Sequence, residues 1–122
     1  MHKILIVDDE PEILETLEDL IDNKLSGCDI TKASNGLDAF ILCQKTIFDL
    51  IITDHKMPFM TGAAFIIAIK TRENQCSETP IIVLSANIDE DLQKKLTLQN
   101  VGYVEKPFTP NHFIDIIRTR LI

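Results

Sequence analysis

The sequence lacks several features that identify common classes of protein. Its three cysteines, Cys28, Cys43 and Cys76, form no CxxC pair and cannot all be bridged, so neither a zinc site nor a disulfide framework is indicated. The longest unbroken apolar run is the seven residues from Ala63 to Ile69. A membrane-spanning helix needs roughly 20 such residues. We find no repeat, low-complexity segment or linker, and we expect the cysteines to be buried or half-buried small apolar side chains.

Basic residues are also scarce. Lys and Arg number 12 against 19 Asp and Glu, which gives a net charge of −7. This balance argues against a basic nucleic-acid surface and against binding to an anionic membrane. The apolar run after Lys3 stops at Asp8 and is too short for the core of a signal peptide. We therefore expect a cytoplasmic protein, and the open question is where the surplus acid lies.

Apolar residues are plentiful enough for one packed core. The chain has 122 residues, 45% of them hydrophobic, and we expect a single domain over residues 1–122. Buried apolar runs at 3–7, 28–33, 49–53, 81–84 and 101–105 predict five strands, each followed by a segment of helical periodicity. Such alternation with short links predicts a doubly wound α/β fold with a parallel sheet between two layers of helices.

Three segments of this pattern carry more specific expectations. In the second helix, Leu37, Phe40 and Ile41 are predicted to form the apolar stripe. The fourth helix offers only a narrow apolar line through Ile88, so its packing is expected to be marginal. The polar stretch 71–79 is long for a link between a helix and a strand, and it predicts a mobile loop without a chemical role.

Polar side chains follow four of the five predicted strands. Asp8 and Asp9 follow the first strand, Asp54 the third, Ser85 the fourth and Lys106 the fifth. The carboxyl ends of parallel strands meet at one edge of the sheet, where open α/β sheets bind ligands. Carboxylates gathered there repel each other unless a cation lies among them, and Mg²⁺ prefers such oxygen ligands. Each residue alone has a structural explanation as a cap or turn, but their coincidence on one edge favours a site.

Four stretches of sequence, in this order and with these gaps, resemble the receiver domain of bacterial response regulators. They are ILIVDDEPEIL at 4–14, DLIITDHKMPFMTG at 49–62, PIIVLSA at 80–86 and GYVEKPF at 102–108. The resemblance implies a flavodoxin-like sheet with strand order 2-1-3-4-5. It also implies a two-component signalling switch, in which the chain accepts a phosphoryl group and is not an enzyme acting on other substrates.

The resemblance assigns a role to each residue at the predicted edge. Asp54 would be the phospho-acceptor, a carboxylate nucleophile that attacks a phosphohistidine. Asp9 would bind Mg²⁺ directly and Asp8 largely through water, with the backbone carbonyl of Lys56 and the carboxylate of Asp54 completing the protein ligands. Lys106 would contact a phosphoryl oxygen.

Further positions are implied to control switching and its duration. Ser85 would donate its hydroxyl to the phosphoryl group, and Tyr103 would turn inward as the end of the fourth strand moves. Tyr103 as an aromatic resting on the surface is a serious alternative. Lys56 and Asn87 would tune the lifetime of the phosphoryl group. The Lys106–Pro107 peptide is expected to be cis.

The resemblance also implies partners. A histidine kinase or histidine phosphotransfer protein would dock near Ile13, Leu14, Pro107 and Phe108. The face formed by the fourth helix, fifth strand and fifth helix would bind a downstream protein or the chain's own effector domain, without direct contact to nucleic acid or membrane. The protein is expected to be a monomer or a weak phosphorylation-dependent dimer.

Several other functions remain as alternatives. The chain could be a phosphorelay intermediate or the receiver of a longer effector protein. An aspartyl-nucleophile phosphatase is less favoured, because such enzymes use a second Asp as general acid and base where this chain has Lys56, a protonated ammonium. A flavin-binding electron carrier is disfavoured because the acids after the first strand would repel a phosphate.

Overall fold

The computed structural model describes residues 1–57, 60–71 and 74–121. Pro58 and Phe59 of the stretch 49–62, and Ile122 at the end of the predicted domain, lie outside the described residues. The elements, in chain order, are β1 His2–Val7, α1 Pro11–Lys24, β2 Cys28–Ala33, α2 Gly36–Lys45, β3 Leu50–Asp54, α3 Gly62–Ile69, β4 Ile81–Ser85, α4 Glu90–Leu98, β5 Gly102–Glu105 and α5 Pro110–Arg120.

The strands form a parallel five-stranded sheet in the order β2-β1-β3-β4-β5, which confirms the predicted fold class. Apolar side chains on its two faces build two separate core clusters. One packs α1 and α5 against the sheet through residues such as Leu17 and Phe113. The other packs α2, α3 and α4 through residues such as Ala39, Phe65 and Leu96. The central strands are buried on both sides, which explains their continuous apolar runs.

Four of the helices begin at residues whose side chains cap the first turn. The side chains of Asn35, Thr61, Asp89 and Thr109 each accept a hydrogen bond from a backbone N–H in the first turn of α2, α3, α4 and α5. Such caps satisfy N–H groups that have no partner within the helix. Helix α1 begins instead at Pro11, which needs no N–H partner there. Each helix therefore starts at a residue that the sequence specifies.

The prediction for the inward face of α2 is wrong for Leu37 and Ile41, whereas Phe40 is half-buried and packs against the core as predicted. Leu37 and Ile41 are 50% and 42% exposed, and the residues buried beneath the helix are Gly36, Ala39 and Cys43. The large apolar side chains fit an inward stripe by spacing. Because α2 lies close against its neighbours, small side chains occupy the closest contact, and Leu37 and Ile41 point outward.

A mobile loop is expected at 71–79; Arg72 and Glu73 lie outside the described residues, and residues 74–79 are anchored to the core. Asn74 and Cys76 are buried, and the side-chain oxygen of Asn74 accepts a hydrogen bond of 2.7 Å from the backbone N–H of Cys76. The hydroxyl of Thr79 donates to the carbonyl oxygen of Phe48 at 2.9 Å. These contacts tie the described part of the link to the core.

Helix α4 is as weakly packed as its sequence suggests. Leu96 is its only buried residue, whereas α1 and α5 each bury three. Among the described residues, no helix has the length and apolar content that crossing a membrane requires.

Candidate functional site

The site lies at the carboxyl edge of the sheet, where four strands end. Asp8 directly follows β1, Asp54 ends β3, Ser85 ends β4, and Lys106 directly follows β5. Parallel pairing sets Asp54 beside Leu84 and places the end of β5 beside Ser85. The order of the strands therefore gathers residues that are up to 98 positions apart in the sequence, from Asp8 to Lys106.

Three carboxylates cluster at this edge, and we call Asp8, Asp9 and Asp54 the acidic pocket. One oxygen of each lies within 4.8 Å of the others. Their exposures differ: Asp8 is buried at 2%, Asp54 is half-buried and Asp9 is exposed. The pocket is thus open to solvent on the side of Asp9 and closed beneath Asp8.

Lys106 lies across the pocket and partly neutralises it. Its Nζ donates to Oδ1 of Asp54 at 3.0 Å and lies 3.9 Å from Oδ2 of Asp8. The Lys106 peptide N–H also donates to the carbonyl oxygen of Ser85 at 2.8 Å, which holds the turn after β5 against the end of β4. The Lys106–Pro107 peptide bond that follows is cis, as expected from the sequence.

Of the three carboxylates, Asp8 is the one whose charged form is disfavoured by burial. Its Oδ1 accepts the Glu10 backbone N–H at 2.9 Å, but its Oδ2 is buried without a hydrogen-bond partner among the described residues. Burial raises the pKa of Asp8 to about 6, and the nearby carboxylates of Asp54 and Asp9 add to this effect. An unpartnered buried carboxylate oxygen beside two further carboxylates fits a hard divalent cation such as Mg²⁺.

The raised pKa of Asp8 predicts how the stability of the metal-free protein depends on pH. Folded Asp8 keeps its proton up to about pH 6, whereas an unfolded Asp releases it near 3.8. The folded state therefore binds more protons between these values, and its free energy of unfolding falls as the pH rises through them. Between pH 5 and pH 7.5 we expect this loss to be about 1 kcal/mol.

Urea unfolding in EDTA at these two pH values measures the effect. Asp8→Asn cannot lose a proton, so its stability should lack this part of the pH dependence. Asp115→Asn, at an exposed position on α5, is the matched control and should keep it. If Asp8→Asn and wild type show the same change in stability, burial of a charged Asp8 does not cost what we infer.

Ser85 lies near the pocket, but its hydroxyl forms hydrogen bonds with the backbone of the loop that follows β4. It is 4% exposed, and its Oγ accepts the Asn87 backbone N–H at 3.2 Å and donates to the Asn87 carbonyl at 3.3 Å. Asn87 itself is exposed. Ser85 would have to give up these weak contacts to donate to a group on Asp54.

Tyr103 lies farther along β5, next to Val83 of β4. It is half-buried, packs against the cluster under α4 and lines a groove with residues of that helix, including Gln93, Lys94 and Leu98. This position fits both interpretations made from the sequence, an aromatic at rest on the surface and one that can move inward.

The remaining predicted residues lie around the rim of the site. The Lys56 side chain is exposed just after Asp54. Ile13 is half-buried but Leu14 is only 7% exposed, so of this pair Ile13 offers the greater accessible surface. Pro107 is exposed, and the Phe108 ring stacks on a ring of α5 with centroids 4.9 Å apart.

Gly62 contributes to the site in a way that sequence analysis missed. A Cβ added at Gly62 would lie 2.7 Å from the carbonyl oxygen of Asp54 and 2.9 Å from the Cα of His55. The Gly62 N–H donates to the carbonyl of His55 at 2.8 Å. Helix α3 thus presses directly on the backbone that carries Asp54. The signal in the sequence is a glycine where a helix begins, and it indicates a close approach only once the neighbouring strand is known.

Comparison with known proteins agrees with this geometry. The family model for the response regulator receiver domain matches residues 4–118. The probable transcriptional regulator ycf29 of Pyropia yezoensis is 32% identical over 118 residues, covering 95% of this chain and 51% of that protein. The chain therefore spans about half the length of this curated relative.

Solved structures match over nearly the whole chain. The chemotaxis protein CheY4 of Vibrio cholerae has a TM-score of 0.88 and 30% identity, with 99% of each chain covered. The receiver domain of the sensor histidine kinase PA1611 from Pseudomonas aeruginosa, described with a magnesium ion in its active site cleft, has a TM-score of 0.84 and 24% identity, covering 98% of this chain and 97% of that one. Because the family model matches almost the whole chain, residues 4–118, the chain belongs to the response regulator receiver domain family.

Proposed function

We propose that this receiver domain accepts a phosphoryl group from a phosphohistidine onto Asp54 and changes a partner-binding surface in response. Receiver domains are in general signalling domains that interact with histidine kinases and effectors and bind Mg²⁺ in an acidic pocket. The observation that carries the assignment to this residue is the position of Asp54. It is the half-buried carboxylate between the buried Asp8, the exposed Asp9 and the ammonium of Lys106.

The proposed chemistry is nucleophilic attack by Asp54. Lys106 holds Oδ1 at 3.0 Å, which leaves the other carboxylate oxygen to attack phosphorus. The new O–P bond forms as the P–N bond to the donor histidine breaks, and the electron pair of that bond returns to the ring nitrogen. The product is an aspartyl phosphate, and the Lys106 ammonium then donates to a phosphoryl oxygen.

The donor set of the pocket is suited to Mg²⁺. Asp9, Asp54, the backbone carbonyl of Lys56 and, through water, Asp8 would hold the ion. A bound Mg²⁺ would neutralise charge on the phosphoryl group during transfer. Of the three carboxylates, Asp8 would be stabilised most by the ion, because a nearby cation would compensate the charge on its Oδ2, which is buried and has no hydrogen-bond partner among the described residues.

The proposed switch begins at Ser85. Its hydroxyl leaves the weak contacts with Asn87 and donates to the phosphoryl group, which draws the end of β4 inward. Tyr103, beside β4 and against the cluster under α4, then moves into the space that becomes available. The marginal packing of α4 favours this proposal, since a switch needs an element with two arrangements of similar free energy.

The proposed partners follow from the same surfaces. A histidine kinase or histidine phosphotransfer protein docks at Ile13, Pro107 and Phe108, beside Asp54. A downstream protein, or an effector domain of a longer chain, binds the face formed by α4, β5 and α5. Relatives of this chain include a probable transcriptional regulator and a sensor histidine kinase, which supports an effector-linked or phosphorelay context as the alternative to a free-standing regulator in the cytoplasm. We propose a monomer or a weak phosphorylation-dependent dimer.

Beryllofluoride, which mimics a phosphoryl group on a carboxylate, tests the proposal without a donor protein. With Mg²⁺, wild type should show a bound fluoride signal by fluorine NMR, and Asp54→Asn should show none. Asp115→Asn, an exposed acid on α5, is the matched control and should bind like wild type. Binding by Asp54→Asn, or no binding by wild type and the control, would contradict the role of Asp54.

Lys56 gives a prediction about the lifetime of the phosphoryl group. Its side chain is exposed two residues after Asp54, where its ammonium can lie over the phosphoryl group and shield it from water. Lys56→Asn should therefore lose its phosphoryl group faster than wild type, by a few-fold, because a short neutral amide shields less. The decay of phosphorylated protein after removal of the donor measures this. Equal or slower decay in the variant would show that Lys56 points away into solvent.

A further inference from the structure

A polar cleft crosses the amino edge of the sheet, at the end of the molecule opposite the acidic pocket. It lies where β4 begins, between the ends of α3 and α5, and has a volume of about 250 Å³. A second cavity of about 230 Å³, lined by the turn that leads into β5, shares Asn100, Thr119 and Arg120 with it. We call the two together the amino-edge cleft. Its basic residues have no part in the chemistry proposed for Asp54.

The charged group at the centre of this cleft is the guanidinium of Arg120, the last residue of α5. A Cβ built on Gly102 would lie 2.9 Å from Nη2 and 3.1 Å from Nε of Arg120. The guanidinium therefore occupies space at the start of β5 that a side chain at position 102 would fill. Arg120 is half-buried, and none of the ion pairs among the described residues involves it. Packing on the strand, and no carboxylate, sets the position of this charge.

The groups around Arg120 favour an anion. Lys70, half-buried directly after α3, supplies a second positive charge, and Ser77 and Asn100 supply a hydroxyl and an amide. Glu78 is the one acid of the described lining; it is exposed, and no ion pair of the described residues joins it to either base. Two positive charges thus face one negative charge in a chain whose net charge is −7. Such a local excess of positive charge attracts anionic ligands.

We propose that the amino-edge cleft is a binding site for a phosphate dianion, either free inorganic phosphate or the phosphoryl group of a small phosphomonoester. The planar fork of a guanidinium matches two oxygens of a phosphate group. The Arg120 guanidinium holds two oxygens in this way, and the Lys70 ammonium neutralises the remaining charge. At ~30 Å³ for each water molecule, the larger cavity has room for a phosphate group and several waters.

Binding at this cleft would stabilise the fold without involving the acidic pocket. The ligand would connect the ends of α3 and α5 across the starts of β4 and β5. A ligand that binds only the native chain raises its melting temperature as the ligand concentration increases. We expect inorganic phosphate to do so in EDTA, where no metal ion can recruit an anion to Asp54.

Isothermal titration calorimetry of the full chain with inorganic phosphate, in EDTA and without a phosphodonor, tests the proposal. We expect one site per chain. Arg120→Gln should weaken binding by about tenfold or more, because the bidentate charged contact is lost. Gly102→Ala should also weaken it, since the added methyl group displaces the guanidinium. Arg118→Gln removes an exposed arginine of the same helix and is the matched control, which should bind like wild type.

A second titration with glycerol 3-phosphate distinguishes the two sources of the phosphate group. Tighter binding of the ester than of inorganic phosphate assigns the cleft to a phosphomonoester, and the reverse order assigns it to free phosphate. In both cases the affinity should depend on Arg120, which supports the site.

Three outcomes would overturn the proposal. They are no binding by wild type, an equal loss in Arg118→Gln and Arg120→Gln, and a loss in Lys106→Met, which would place the anion at the acidic pocket. The comparison of the two arginine variants decides the matter even if Gly102→Ala folds poorly. Arg120→Gln should still bind beryllofluoride at Asp54, so failure here is distinguishable from failure of the proposed function.

Discussion

Lys106→Met is expected to slow phosphoryl acceptance by about 100-fold, which corresponds to about 3 kcal/mol of lost transition-state stabilisation. The Lys106 ammonium lies 3.0 Å from Asp54 and is 3.9 Å from Asp8. It is thus the positive group placed where negative charge accumulates as phosphorus is transferred. Methionine is similar in shape and only one atom shorter, and it has neither the charge nor the hydrogen-bond donors of lysine.

The rate of phosphorylation by acetyl phosphate, followed by intact mass in the presence of Mg²⁺, measures this effect. Lys45→Met, at an exposed position in the last turn of α2, is the matched control and should react like wild type. Circular dichroism of both variants checks that the fold is kept. A Lys106→Met protein that reacts at the wild-type rate would remove Lys106 from the proposed mechanism.

Gly62→Ala is expected to destabilise the fold by about 1–3 kcal/mol, in the range of other overpacked sites. The added methyl group would lie 2.7 Å from the backbone oxygen of Asp54 and 2.9 Å from the backbone of His55. Neither is the end of a flexible side chain, so relief requires α3 and the end of β3 to move apart. Such a movement shifts Asp54, and we expect slower phosphoryl acceptance as well as a lower melting temperature.

Urea unfolding gives the change in stability, and the acetyl phosphate reaction gives the change in rate. Ala63→Ser, at the neighbouring exposed position of α3, is the control and should change the stability by less than about 0.5 kcal/mol. Wild-type stability and rate in Gly62→Ala would mean that α3 does not constrain the backbone of Asp54.

The sequence was sufficient to predict the edge of the sheet at which the site lies. Strand ends are marked by a change from apolar to charged residues, as at Asp8, Asp54 and Lys106, and parallel strands bring those ends together. The structure places Lys106 within ion-pairing distance of both Asp8 and Asp54 across the pocket. The fold class was predictable for the same reason, because strands buried on both faces leave an unambiguous apolar run.

Features set by tertiary packing could not be predicted in the same way. Spacing gave α2 an apolar stripe of large residues, but close packing of the helix selected Ala39 and Cys43 for its inward face. Asp8 and Asp9 are identical in type and adjacent, yet only Asp8, whose N–H still pairs with the Ala33 carbonyl oxygen of β2, is buried.

The contact between the Cys76 thiol and the backbone carbonyl of Cys43 was likewise hidden from the sequence. It depends on how residues 75 and 76 cap the end of α2, a contact between segments about 30 residues apart. The polar composition of residues 71–79 does not indicate that this segment contacts the end of α2. Contacts of this kind depend on the path of the backbone after the elements have packed.

Mapping the phosphoryl group after reaction with acetyl phosphate and Mg²⁺ tests the central claim most directly. We predict one phosphoryl group per chain, located on Asp54 by peptide mass spectrometry and absent from Asp54→Asn. The label should be lost at alkaline pH, as expected for an acyl phosphate. A phosphoryl group on any other residue, or none on wild type under conditions in which the Asp115→Asn control also stays unmodified, would contradict the assignment of Asp54.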